Sequence, residues 1–321
     1  MTDSASAPTS SVPSASSRPF SMSDTVAEVV KRMEMLVNGD YVPCGISTGF
    51  PQLDELTGGL RAGSLFVVAS PPSSGRSSFV RHVIEAVGLE QNLPLLAFTP
   101  GLDSLRWVER LIYAASGFSS LKMSQPLSLT KGELLRLQRV TIATQESGIS
   151  VDDHSLRIEE ICDKVREMHQ ETRLALVVVE DLPLLVNEDG LPGFHHPDDV
   201  AKVLCLLRGL AKELKIPVLV TCNQEVPLLG RRLEDTKIGD YSGFTNGELV
   251  STHADQLAFL SRYHTRRFGP GGSVVEFDLV KNQGGRTGLV RMNLMEDIFL
   301  FGADAEGGSE SDGPAANRET S

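Results

Sequence analysis

Six apolar runs alternate with helical patterns along this chain, and no other feature constrains its fold as much. The runs are residues 64–70 (SLFVVAS), 93–99 (LPLLAFT), 174–181 (LALVVVED), 216–222 (IPVLVTC), 255–261 (DQLAFLS) and 273–280 (SVVEFDLV). Helical periodicity occupies 77–89, 103–116, 131–143, 155–170 and 198–214. The middle runs are apolar throughout, as strands covered on both faces are. Strands alternating with helices predict a doubly wound α/β sheet, mostly parallel and flanked by helices. The last runs have shorter connections, which suit antiparallel pairing at an edge.

The flanks have a different composition. Residues 1–20 are rich in Ser, Pro and Ala, and residues 303–321 in Gly, Ser and acids. Neither stretch carries enough apolar area to fold, so both read as disordered tails. Residues 21–40 read as one amphipathic helix with Val26, Val29, Val30, Met33 and Val37 on one face. A lone helix of this length is marginal in water, so the stripe must pack on something, either its own domain or a neighbouring subunit. Residues 41–302 then form the main domain.

Charge and cysteine content narrow the function classes. The net charge is −12, so any nucleic-acid contact must come from locally placed cations. Cys44, Cys162, Cys205 and Cys222 form no CxxC pair, which fits reduced thiols. No run approaches the ~18 apolar residues of a membrane span. The expected compartment is the cytoplasm, with no membrane partner.

The first apolar run leads into Ser70-Pro71-Pro72-Ser73-Ser74-Gly75-Arg76-Ser77-Ser78 and then a helical pattern. This is the position and length of a phosphate-binding loop, whose backbone N–H groups and following helix N-terminus hold the anion. Ser73, Ser74, Gly75, Arg76, Ser77 and Ser78 are therefore the candidate nucleotide-binding residues. The usual Lys is Arg76, a planar fork and not a point charge. The usual first Gly is Ser70, and Pro71 with Pro72 stiffens the approach. Glu180 and Asp181 end a buried strand, where a carboxylate of a phosphate-loop ATPase is placed.

These segments resemble a known family. GISTGFPQLDELTGGLRAGSLFVVA resembles the opening of a RecA-like ATPase core. LRGLAKELKIPVLVTCNQ and KNQGGRTGLVRM are similar to the C-terminal motor domain of the DnaB replicative helicases, ring helicases of superfamily 4. The similarity spans residues 21–302, and the helix over 21–40 resembles the family's linker helix, which docks on the next subunit of a hexamer. The resemblance implies ATP or ADP with Mg²⁺, the metal held by Ser77 and Glu180. It implies Walker B carboxylates at Glu180 or Asp181, a sensor at Asn223 or Gln224, and Lys281 reaching the neighbour's γ-phosphate.

It also implies losses. The family's catalytic Glu falls on Gly101, with Asp103 two residues on. Its trans arginine falls on Gln283, with Arg286 three residues displaced. An arginine finger is worth about 10³–10⁵ in rate, and a general base about 10²–10⁴. The expectation is a nucleotide- and single-stranded-DNA-binding protein of replication or repair with hydrolysis weakened or lost. The alternative is an inactive scaffold assembling with a helicase ring or its loader. Two loops correspond to the family's channel loops: 187–199, with His195 and His196, and 226–247, with Arg231, Arg232 and Lys237 as candidate DNA contacts. Trp107 and Phe98 are expected in the core.

Overall fold

The computed structural model describes residues 22–37, 45–118, 122, 129–186, 197–223, 247–268, 272–295 and 300–302. It divides into two units, residues 1–42 and 43–321. In the first, helix α1 spans Met22–Val37. Its Val26, Val29, Val30 and Met33 side chains are exposed, so the sequence's apolar stripe is a real surface of this helix.

The second unit opens with strand β1 (Gly45–Ile46), helix α2 (Pro51–Thr57) and strand β2 (Leu60–Arg61). β1 and β2 pair antiparallel. The Asp54 carboxylate closes this turn by accepting from the Thr48 N–H at 2.9 Å, the Thr48 hydroxyl at 2.7 Å and the Ser47 hydroxyl at 2.6 Å. The following elements are β3 (Leu65–Ser70), α3 (Arg76–Ile84, continued by a π turn over Glu85–Glu90), β4 (Leu95–Phe98) and α4 (Ser104–Ala115). Then come α5 (Lys131–Glu146), β5 (Ile149–Asp152), α6 (Ile158–Thr172), β6 (Leu176–Val179) and α7 (Pro197–Leu214). The chain ends through β7 (Val218–Asn223), α8 (Gly247–His253), β8 (Gln256–Phe268), β9 (Gly272–Asn282), β10 (Gly288–Met295) and β11 (Leu300–Gly302).

Nine strands form one sheet in the order β11-β10-β9-β8-β3-β7-β6-β4-β5. From β8 to β5 every pairing is parallel, and from β8 to β11 every pairing is antiparallel. This is the mixed sheet the sequence predicts, with the antiparallel strands at one edge. Strands β5, β10 and β11 were not anticipated. β5 is short and only half-buried, and it lacks the continuous apolar run that marks its parallel neighbours.

Two cores flank the sheet because successive side chains of one strand point to opposite faces. Leu65, Val67 and Ala69 of β3 pack with Ile161 and Val165 of α6 and Leu204 and Leu207 of α7. Phe66 and Val68 pack on the other face with Phe79 and Val83 of α3 and Trp107 and Leu111 of α4. Trp107 and Phe98 are buried, as expected. Among the described residues no helix is long and apolar enough to cross a membrane.

Candidate nucleotide site

The site forms where the parallel strands end. In such sheets the crevice beyond the strand C-termini is where ligands bind. Ser70 ends β3, in register with Asn223, which ends β7. Val179 ends β6 in register with Val220, so Glu180 and Asp181 emerge beside them. Phe98 ends β4, in register with Val179, and Gly101 follows in the next turn.

The loop after β3 makes a left-handed step at Ser73 (φ 63°) and another at Gly75 (φ 95°). Gly75 is the N-cap of α3, and a Cβ there would strain this backbone. Among the described residues no side chain caps the helix, which leaves its first-turn N–H groups without a side-chain acceptor. Ser74 and Ser78 are buried, and Ser73 and Ser77 are exposed. Ser78 is committed to the fold, since its hydroxyl accepts from Arg81 Nη2 at 3.1 Å.

Arg76 occupies the centre. Its Nη1 donates to Asn223 Oδ1 at 2.6 Å and to the Cys222 carbonyl at 2.9 Å, with the Ser70 carbonyl at 3.4 Å. Its Nη2 pairs with Asp181 Oδ1. The Arg76 side chain is only 13% exposed. It therefore ties the ends of β3 and β7 to the turn after β6. Asp181 itself sits in a left-handed conformation (φ 52°), and its N–H donates to Thr221 Oγ1 at 2.9 Å.

Glu180 points elsewhere. The residue is 8% exposed, and its carboxylate accepts from Trp107 Nε1 at 2.8 Å. Burial pushes its carboxyl up to about 7; the Trp107 bond opposes the rise and the Asp181 charge adds to it. Arg81 is buried on the same side, and burial draws its guanidinium below its ordinary range.

This geometry bears on the metal that the sequence places at Ser77 and Glu180. The Ser77 hydroxyl is exposed, but Glu180 is buried, and Asp181, with its side chain 27% exposed, is held in an ion pair. Glu180 is engaged by Trp107, and Asp181 by Arg76. Mg²⁺ demands near-ideal octahedral oxygen ligation, commonly through one or two carboxylates. The donor set as arranged does not fit the ion, and no chemistry is routed through it below.

The remaining candidates fall in distinct places. A Cβ on Gly101 would stand 3.9 Å from Asp181 Oδ2 and 2.5 Å from Leu184 Cδ1, so Leu184 covers the space a side chain would enter. Asp103 is the N-cap of α4, accepting from the Arg106 N–H at 3.2 Å. Lys281 on β9 donates to the Ser251 carbonyl of α8. Burial and the Arg208 charge draw its ammonium below its usual range, and Asp255 opposes them. Gln283 and Arg286 are exposed in the β9–β10 turn. Arg61 braces that turn by donating to the Gln283 carbonyl at 2.6 Å and to Asn282 Oδ1 at 3.0 Å. Gln224, Arg231, Arg232, Lys237, His195, His196 and both tails lie outside the described residues.

One cation escaped the sequence reading. Arg262 of β8 donates through Nη1 to the Ser73 carbonyl at 3.4 Å, which brings a second guanidinium to the loop. The signal was present, because Arg262 is the first cation after an apolar run. Only the pairing of β8 beside β3 gives it meaning.

Known proteins share this architecture. The family model described as "DnaB-like helicase C terminal domain" matches residues 45–303. The chain is 26% identical over 283 residues to the replicative DNA helicase DnaB of Geobacillus stearothermophilus, covering 87% of this chain and 61% of that protein. It is 24% identical over 283 residues to the replicative DNA helicase DnaC of Bacillus subtilis, again covering 87% and 61%. The chain thus spans about 61% of the length of these two relatives. Among solved structures, one described as an ATPase domain superposes with TM-score 0.76 at 18% identity, covering 88% of this chain and 99% of that one. A DnaB-like replicative helicase, described with its interactions with primase, superposes with TM-score 0.73 at 18% identity, covering 88% and 67%. The two structural likenesses establish a RecA-like helicase ATPase fold, and the family match shows that this chain belongs to the DnaB-like helicase C-terminal domain family.

Proposed function

We propose that this chain is a nucleotide-binding helicase-family protein of DNA replication or repair, one that engages single-stranded DNA and has weakened or lost ATP hydrolysis. The observation that carries the reading is the engagement of Arg76. The residue at the family's lysine position is held by Asp181, Asn223 and the Cys222 carbonyl. Nucleotide binding draws on the uncapped N-terminus of α3 and on the guanidiniums of Arg76 and Arg262. Hydrolysis further requires a group to orient the attacking water. Gly101 supplies none, Leu184 covers its space, and Asp103 is spent on a helix cap.

In this reading Asn223 senses the phosphates through Arg76, and Lys281 faces a neighbouring subunit's nucleotide within a ring. The cations Arg231, Arg232 and Lys237 are the DNA contacts, each adding salt-dependent affinity. The exposed stripe of α1 supports assembly with further copies or with helicase subunits. It equally favours a second reading, an inactive scaffold that joins a helicase ring or its loader.

The test is equilibrium binding of a fluorescent ATP analogue, followed by phosphate release with single-stranded DNA present. Binding with little or no turnover is the expected result. Brisk turnover overturns the loss of hydrolysis, and absence of nucleotide binding leaves the scaffold reading.

A further inference from the structure

Resting on the nucleotide-site reading above, we propose that this site takes a nucleoside di- or triphosphate without a divalent cation, the Arg76 guanidinium standing where the metal would stand. The atoms around Arg76 are a cation's ligands. Asn223 Oδ1, the Cys222 carbonyl, the more distant Ser70 carbonyl and the Asp181 carboxylate converge on its two terminal nitrogens. An all-oxygen set with one carboxylate is the kind a hard divalent ion selects. Here it is filled by a covalently attached positive charge that cannot be deprotonated.

The guanidinium keeps a face for the ligand. Both Nη1 protons are used on Cys222 and Asn223, and one Nη2 proton on Asp181. Among the described residues Nε and the second Nη2 proton make no hydrogen bond. An Nε–H beside an Nη2–H is the side-on fork that matches two phosphate oxygens. A lysine ammonium, with three donors on a point charge, cannot bridge four protein oxygens and still present a fork.

The acids agree with this arrangement. A metal would need a carboxylate, and Glu180 is sequestered under Trp107 while Asp181 is neutralised by Arg76. Charge to offset the polyphosphate comes from Arg262 at the Ser73 carbonyl and from the N-terminus of α3, while Arg76, paired with Asp181, adds directed N–H donors.

The experiment measures equilibrium binding of methylanthraniloyl-labelled ADP and ATP to the full chain, in magnesium chloride and again in EDTA. The same is done for Arg76→Lys and Asp181→Asn, each checked for native folding by circular dichroism. The wild-type Kd is expected to change by less than about threefold between the two buffers, under one kcal/mol. A larger loss in EDTA overturns the proposal while leaving the nucleotide site standing. Arg76→Lys shortens the cation and frees Asp181, so its binding is expected to become magnesium-dependent. An Arg76→Lys protein as indifferent to EDTA as the wild type overturns the role given to Arg76. Asp181→Asn is expected to stay indifferent to EDTA, and a loss of binding in EDTA alone counts against the proposal. A folded wild type that binds neither probe in either buffer overturns the nucleotide-site reading itself, and this inference with it.

Discussion

Trp107 Nε1 donates to Glu180 Oε1 across 2.8 Å, so the only tryptophan of the chain holds the carboxylate that sequence register assigns to the metal. The bond joins α4 to the end of β6 inside a closed core. It keeps Glu180 away from Arg76, whose acid partner is the next residue, Asp181.

Glu180 makes stability depend on pH. Its carboxyl is raised from 4.5 to about 7 in the folded protein. The native state therefore binds the extra proton between those values, and stability falls as pH rises from 4.5 through 7. Glu85, also raised to about 7, acts in the same direction. Glu180→Gln removes the Glu180 share and retains an acceptor for Trp107. The variant is expected to match the wild type near pH 5 and exceed it at pH 8 by about 1–3 kcal/mol. Urea denaturation at both pH values checks this, and equal stability at pH 8 contradicts it.

Trp107→Phe removes the donor and leaves the buried carboxylate unsatisfied. The expected loss is about 1–3 kcal/mol at pH 8, and less at pH 5, where Glu180 is protonated. The contrast between the two pH values separates the lost hydrogen bond from lost packing, which is insensitive to pH.

Restoring Lys at position 76 alone is not expected to revive turnover, because Gly101 and Gln283 still lack the groups that phosphoryl transfer uses. Phosphate release by Arg76→Lys should remain at the wild-type level. Brisk hydrolysis by this single variant contradicts the roles given to those two positions.

Glycine substitutions in the turn after β4 and in β1 should differ in cost. At Gly101 the obstructing atom is Leu184 Cδ1, the far end of a half-exposed side chain that can rotate away. Gly101→Glu is expected to cost less than about 1.5 kcal/mol. At Gly45 the obstruction is backbone, the Leu60 carbonyl oxygen 2.5 Å from an added Cβ. Gly45→Ala must separate β1 from β2 and is expected to cost more than about 2 kcal/mol. Chemical denaturation of the two variants, side by side, decides between them.

The thiols should divide by burial. Burial pushes Cys162 up to about 11 and Cys222 up to about 12, whereas Cys205 is exposed on α7 with its sulfur 3.3 Å from His253 Nδ1. Of these three, an aromatic disulfide reagent should label Cys205 first in the native protein. Peptide mapping that finds Cys222 labelled as early would show that the core around β7 opens.

Much of the fold was legible because its signals are local. The runs SLFVVAS, LALVVVED and IPVLVTC are apolar throughout, since both faces of β3, β6 and β7 are covered, and no partner need be known to read that. The strand–turn–helix around residues 70–78 was legible for the same reason, as a buried strand, a Gly-containing turn and a helix follow one another in the chain. The strand order was not legible. It brings β8 beside β3, and so Arg262 beside Ser73, through contacts 189 residues apart.

The sequence by itself determined an α/β sheet, a Ser- and Gly-containing strand–loop–helix turn with Arg76 at its helix end, and a pair of acids at a strand end. Only the tertiary structure decided which acid does what. Glu180 and Asp181 are adjacent in the chain, and no periodicity separates them. The left-handed backbone at Asp181 turns its carboxylate toward Arg76, and the packing of α4 sets Trp107 over Glu180. The roles divide because a buried charge takes whichever partner the packing places within hydrogen-bond reach, and that partner lies on another element.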